Sequence, residues 1–239
     1  MAQYHIRGVD LEIPDALVTD ALARSFESGK YEHSEAEALL RHLRPRDRFL
    51  DLGAGAGFLS ALALSRLRPR HITGVEAGSV MAGVAAANLD RNGGIGRRIL
   101  WGAVVPDACT AQTVPFTVRR AFWASGIAAP ERAKGVKIEN VPALRFGALL
   151  QRFDPTVVCL DIEGGERDLF HALPIPDRRL PPNLRLIVME LHGGAYGTAG
   201  IKRLFDDLSA LGFCYCPSGS SGGTVVFERL KTEHDLRPE

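Results

Sequence analysis

The sequence predicts an α/β protein with a Rossmann-like, seven-stranded, mostly parallel sheet, and three observations predict it. Short apolar runs alternate with helix-like segments from residue 48 onward, a glycine loop joins the first run to the first helix, and two later runs end in acidic side chains. Alternating strands and helices imply parallel neighbours joined by right-handed crossovers. The 239 residues, 46% of them hydrophobic and 24% charged, suffice for one large core, so residues 1–239 are read as a single domain.

In chain order, residues 12–45 read as a helical lid, with Ala16, Leu17, Leu22 and Ala23 before a break at Gly29 and Ala36, Leu39, Leu40 and Leu43 after it. Arg48 to Leu52 is the first strand of the sheet, Phe58 to Leu67 a helix, His71 to Glu76 the second strand, Val80 to Asn92 a helix and Arg98 to Val105 the third strand. Residues 106–147 fit the alternation poorly and read as an insertion between strands three and four, with Val114 to Arg120 an added strand. Thr156 to Leu160, Leu184 to Glu190 and a terminal antiparallel pair, Phe213 to Cys216 with Thr224 to Phe227, complete the sheet. Residues 167–173 and 199–211 read as helices, and the proline-rich stretch 175–185 as an exposed loop.

Composition excludes some classes of function. A formal charge of +1, from 29 basic and 28 acidic side chains, supplies no field to gather a polyanion, so nucleic acid is disfavoured as a partner. No apolar stretch suggests a membrane span and the first residues do not resemble a secretory signal, so a cytoplasmic location is expected. Cys109, Cys159, Cys214 and Cys216 lack paired zinc spacings and are assigned no chemistry.

The sharpest local signal is Asp51-Leu-Gly53-Ala54-Gly55-Ala-Gly57, between an apolar strand and an apolar helix. Glycine there permits a tight turn and lets a ligand lie against bare backbone. Dinucleotide binders space their glycines G-x-G-x-x-G to seat a pyrophosphate, whereas this loop closes one residue earlier. Glu76 follows at the tip of the second strand, where its carboxylate can accept both hydrogen bonds from a ribose diol. The loop resembles the D-x-G-x-G-x-G motif of class I methyltransferases, and that resemblance implies S-adenosylmethionine as cofactor. On this reading Asp51, Gly53, Ala54, Gly55, Gly57, Glu76 and Ala77 form the cofactor cradle, with the backbone N–H of Ala103 offered to the adenine.

A second signature is Val157-Val158-Cys159-Leu160-Asp161-Ile162-Glu163-Gly164-Gly165-Glu166, an apolar strand ending in three carboxylates. Asp161-Ile-Glu163-Gly164-Gly165-Glu166 is similar to the acid-x-Glu-Gly-x-Glu run of the FkbM family of methyltransferases. Gly29-Lys30-Tyr31-Glu32 and Met189-Glu190-Leu191-His192 agree with segments of that family. The resemblance implies oxygen methylation of a small molecule, sugar or glycan-like acceptor. It also implies that Tyr31 and Glu32 close over the cofactor, Glu32 facing the methionine ammonium.

Methyl transfer needs donor and acceptor held close and a base for the acceptor proton. If extended geometry persists, Asp161 and Glu163 project to one side of their strand, Glu190 and His192 likewise, and the groups converge beside the methyl. His192 or Asp161 is the expected general base, with His192 favoured because imidazole titrates near neutral pH. Glu166 reads as a helix-opening acid stabilised by unpaired N–H groups, and Trp123 and Ser125 as walls of the acceptor pocket. Three carboxylates and a histidine could hold Mg²⁺, but no spacing is diagnostic and no metal is assigned. Two other readings of the chain are a nicotinamide-dependent oxidoreductase, which would need a pyrophosphate site, and a non-catalytic module retaining the fold.

Overall fold

The computed structural model describes residues 1–67, 71–94, 98–119, 126–127, 137–171 and 180–230. Its centre is a seven-stranded sheet. The strands, in the order in which they lie side by side, are β12 (Phe213–Ser221), β13 (Thr224–Arg229), β11 (Leu186–Glu190), β10 (Val157–Leu160), β3 (Phe49–Leu52), β4 (Ile72–Glu76) and β5 (Arg98–Trp101). The pairs from β11 to β5 are parallel, whereas β13 runs antiparallel to both β11 and β12. The sheet is therefore mixed rather than mostly parallel, because a tight turn at Gly222 returns the chain as a hairpin that inserts β13 beside β11.

Side chains alternate across the central strands and divide the core in two. Phe49, Val157, Cys159, Leu186 and Val188 pack on one face with α3 (Phe58–Leu64) and α4 (Ser79–Arg91). Leu50, Leu52, Val158, Leu160, Ile187 and Met189 pack on the other with α5 (Phe146–Phe153) and α7 (Gly193–Ala210). Every residue of β10 is at most 1% exposed, as expected of a strand covered on both faces. Each such side chain contributes about 1.5–3 kcal/mol. This rigidity fixes where the strand's carboxyl end, and hence Asp161, is held.

Further expectations require correction. The N-terminal region is not helical from residue 12: β1 (Ala2–Ile6) and β2 (Val9–Ile13) form a hairpin, and helices follow only as α1 (Asp20–Glu27) and α2 (His33–His42). Val9, Leu11 and Ile13 alternate with Asp10 and Glu12, and the turn at Arg7 and Gly8 takes positive φ at both residues, as a two-residue hairpin loop requires. Asn88 of α4 anchors it, accepting from the Glu12 N–H at 2.8 Å and donating to the Ala56 carbonyl at 2.9 Å.

The run from Arg98 to Val105 is likewise not one strand. It breaks at Gly102, where a Cβ would lie 2.7 Å from Leu144 and 2.8 Å from the Pro142 carbonyl. Beyond the break, β6 (Ala103–Val105) joins a second, four-stranded sheet of order β6, β9 (Lys137–Arg145), β7 (Thr113–Val118) and β8 (Gly126–Ile127). The added strand expected over Val114 to Arg120 is β7. The helix expected over residues 167–173 shortens to α6 (Glu166–Leu169), and α7 starts six residues earlier than expected, with a non-helical Gly197 inside it. Trp123 and Ser125 lie outside the described residues.

Candidate active site

Strand order reverses between β3 and β10: from β3 the chain proceeds outward to β4 and β5, then returns to place β10 on the other side. The carboxyl ends at such a reversal splay apart and leave a crevice, the usual ligand site of open α/β sheets. The glycine loop leaves β3 there and the acidic run leaves β10, so sequence and topology select the same place. Gly53 takes φ +89°, its N–H donates to the Val75 carbonyl at 2.9 Å, and its Cα faces the backbone of Asp161.

Glu76, at the end of β4, holds the loop shut from the other side. One carboxylate oxygen accepts from the Gly55 N–H at 2.9 Å and the other from the Gly78 N–H at 2.7 Å. Burial raises its pKa to about 7 despite those bonds. Asp51 lies deeper, 2% exposed and accepting from the Ser60 hydroxyl at 2.6 Å, and burial raises it to about 6.

Two cavities meet at this crevice. The first is lined by Gly53, Gly55, Glu76, Ala77 and Ala103 with Phe116 and Ile127 of the second sheet. The second, continuous with solvent, is lined by Lys30, His33, Glu35, Glu190, His192 and Thr224. Tyr31, Glu32, Asp161 and Glu163 line both and form the boundary between them. The Tyr31 ring packs between Phe26, tilted at 4.5 Å, and Phe58, edge-on at 5.8 Å, and burial together with the Glu32 charge holds its hydroxyl well above its ordinary pKa. Glu32 takes a left-handed φ of 44° ahead of α2, and burial raises its carboxyl well above the usual range.

Asp161, Glu163 and His192 converge, but not by strand alternation. Extended geometry stops at Leu160; Glu163 turns to φ 57° and Gly164 to φ 102°, and this left-handed turn carries Glu163 back beside Asp161. The His192 Nε2 lies 3.6 Å from Asp161 Oδ1 and 3.4 Å from Glu163 Oε2. Glu166 is fully enclosed; its Oε1 accepts from the Ile162 N–H at 2.9 Å and stands 3.2 Å from His192 Nδ1. It thus braces the loop and the imidazole as well as opening a helix. Burial alone would lower the His192 pKa; contacts with Glu163 and Glu166 and the Asp161 charge outweigh it and carry the pKa to about 11. Held in this way, the imidazole keeps its proton more tightly than the free side chain on which the expectation of a base at His192 rests. Burial and the charges of Glu190 and Glu163 hold Asp161 well above the carboxylate range.

Similarity to known proteins falls on a short part of the chain. No family model matches. A stretch of 71 residues is 41% identical to the ribosomal protein L11 methyltransferase of Thermus thermophilus, covering 29% of this chain and 27% of that protein. A stretch of 57 residues is 40% identical to the enzyme of the same name from Desulfosudis oleivorans, covering 24% and 18%. The chain carries methyltransferase homology. It matches about a quarter or less of the length of these curated relatives. Among solved structures, the precorrin-6y C5,15-methyltransferase of Geobacter metallireducens superposes over 93% of this chain and 94% of its own, with 16% identity and a TM-score of 0.47. TYW2 of M. jannaschii, in complex with AdoMet, gives 12% identity and a TM-score of 0.47 over 95% and 86%. At TM-scores below 0.5 neither likeness bears on activity.

Of the residues expected at the cofactor, Tyr31, Glu32, Gly53, Gly55, Glu76, Ala77, Ala103 and Asp161 line the first cavity. Asp51, Ala54 and Gly57 do not. Ala54 is buried with its N–H donated to Val75, and Gly57 makes room for helix packing, since a Cβ there would lie 2.8 Å from the Ala85 carbonyl. Phe116, Ile127 and Glu35 were not singled out from sequence. The first two arrive through a second sheet whose pairings are non-local, and Glu35 reads as one more polar residue of α2.

The raised pKa values carry a prediction. Asp51 and Glu76 bind protons more tightly folded than unfolded, so the stability they contribute is complete below their unfolded values near 4. It is lost as pH rises through about 6 and about 7. The melting temperature of the ligand-free protein should therefore fall between about pH 5 and about pH 8, with a shallower slope in Glu76→Gln. A flat profile over that window in differential scanning calorimetry would contradict it.

Proposed function

We propose that the protein is an S-adenosylmethionine-dependent methyltransferase acting on an oxygen of a small-molecule, sugar or glycan-like acceptor. The observation that carries this reading is the pair of joined cavities. One holds the glycine loop and Glu76, the other holds Glu190 and His192, and Asp161 and Glu163 stand at their junction. The glycine loop along the first cavity and the acceptor-only carboxylate of Glu76 fit a nucleoside ribose, and Glu32 fits a methionine ammonium. Bound there, the cofactor would supply an electrophilic methyl group.

The remaining work belongs to the chain. Phe116, Ile127 and Tyr31 give the first cavity apolar walls, and apolar walls strengthen the polar contacts between them. Asp161 lines both cavities and burial raises its pKa, so its carboxylate is placed to take the acceptor proton, while His192 holds Asp161 and Glu163 in place. The run Asp161 to Glu166 supports membership of the FkbM family. The acidic second cavity and the near-neutral chain disfavour a nucleic-acid acceptor.

Calorimetric titration with S-adenosylhomocysteine and with NADH tests the cofactor. Binding of the first alone is expected; binding of NADH instead would replace the methyltransferase by an oxidoreductase. Incubating a metabolite extract with isotopically labelled donor then identifies the acceptor by mass spectrometry. With that acceptor, Asp161→Asn should lower turnover by about 10²–10⁴-fold while leaving S-adenosylhomocysteine affinity nearly unchanged. Equal losses in turnover and affinity would make Asp161 a cofactor ligand only.

A further inference from the structure

We propose that Asp161, Glu163 and His192 bind one divalent cation of the oxygen-preferring class, Mg²⁺ or Mn²⁺, at the junction of the two cavities. The ligand atoms of the three side chains fall within 4.8 Å of one another, and the imidazole Nε2 stands 3.6 Å and 3.4 Å from the two carboxylate oxygens. Ligands that share an ion at about 2.0–2.2 Å are spaced in this way, whereas groups bonded directly to each other approach to about 2.9 Å.

Two further observations point to an ion. Asp161 Oδ1 is enclosed, faces the imidazole and has no hydrogen-bond partner. Buried oxygens of that kind are rare unless something absent from the protein completes them. Behind the imidazole, Glu166 has no exposed side-chain surface and places Oε1 3.2 Å from Nδ1, close enough for a small turn of the ring to complete a hydrogen bond that is not formed here. A carboxylate on the far nitrogen turns the near nitrogen toward a metal and is the habitual support of a ligating histidine. Two carboxylates, one imidazole and no thiolate suit Mg²⁺ or Mn²⁺.

The role of the ion, though not its binding, rests on the methyl-transfer reading: as a Lewis acid it would hold and acidify an acceptor hydroxyl. Titrating the full chain, with and without S-adenosylhomocysteine, with MnCl₂ and counting free Mn²⁺ by electron paramagnetic resonance tests the site. The expected result is one ion per chain, competed by Mg²⁺. Affinity should drop at least tenfold in Glu163→Gln and His192→Gln, and about 10–100-fold in Glu166→Gln, with S-adenosylhomocysteine affinity preserved in His192→Gln and Glu166→Gln, whose side chains lie outside the first cavity. Absence of stoichiometric binding at millimolar Mn²⁺, or equal binding in Glu163→Gln and His192→Gln, overturns the proposal. Should those variants fail to fold, the unmutated chain decides. Mn²⁺ must broaden the ring signals of His192 while those of His5, on the β1–β2 hairpin, persist, and uniform broadening refutes the site. Mn²⁺ binding in a chain that refuses S-adenosylhomocysteine supports the ion site and overturns only the methyl-transfer reading.

Discussion

Gly53→Ala is expected to lower stability by about 3 kcal/mol or more and to abolish S-adenosylhomocysteine binding. A Cβ at residue 53 would stand 1.7 Å from the Asp161 carbonyl oxygen and 2.7 Å from its carbon. Both are backbone atoms, so neither can rotate out of the way. The adjacent rung, from the Asp161 N–H to the Leu52 carbonyl at 2.9 Å, ties β10 to β3 at that level. Relief therefore means parting the two central strands. The left-handed φ of +89° adds about 1–2 kcal/mol for any residue with a Cβ. At roughly 2–4 °C per kcal/mol for a domain of this size, the melting temperature should drop by about 10 °C. Gly83→Ala is the control. Gly83 lies within α4 with nothing within 4 Å of a Cβ, so alanine there should stabilise by about 0.5–1 kcal/mol. A Gly53→Ala protein that melts with the parent and binds S-adenosylhomocysteine normally would remove the crevice from the argument.

Glu76→Ala should weaken S-adenosylhomocysteine by roughly 100-fold, from lost charge-assisted bonds worth about 1.5–3 kcal/mol each. Glutamine should rescue little. Glu76 already takes N–H donors on both oxygens, from Gly55 and Gly78, and the proposed ribose brings two more donors. An amide would set its own NH₂ against one of these backbone N–H groups, and the loop would have to move. The same logic makes affinity rise as pH climbs through about 7, where Glu76 ionises. Calorimetry on the parent, Glu76→Ala and Glu76→Gln at constant pH measures the effect; an affinity within threefold of the parent in both variants would sink the assignment.

What was legible in the sequence was local. The strand, glycine loop and helix around Gly53 show because hydrophobic period and turn chemistry change within twenty residues. The acidic run shows because carboxylates follow a strand that is apolar throughout. Features set by distant partners did not show. The β1–β2 hairpin has five-residue strands, too short for period 2 to stand out beside the helix-like pattern that follows. The break at Gly102 is dictated by Leu144 and Pro142, forty residues on. The meeting of Asp161, Glu163 and His192 was anticipated on a wrong premise: side-chain alternation would have served only if the strand had continued, and the left-handed turn at Glu163 performs the task instead. Glu166 was read by its helix position because no pattern in the sequence indicates that His192, on a different element, would lean on it.

The departure of the chain at Gly102 also partitions the molecule's apolar interior. Ala103, Val105, Val114, Phe116 and Val141 form a packing unit of their own, separate from the two clusters that hold the central sheet. Phe116 nevertheless lines the first cavity. Selection can therefore remodel one wall of the first cavity by exchanging a cassette while the crossover strands and their loops stay untouched.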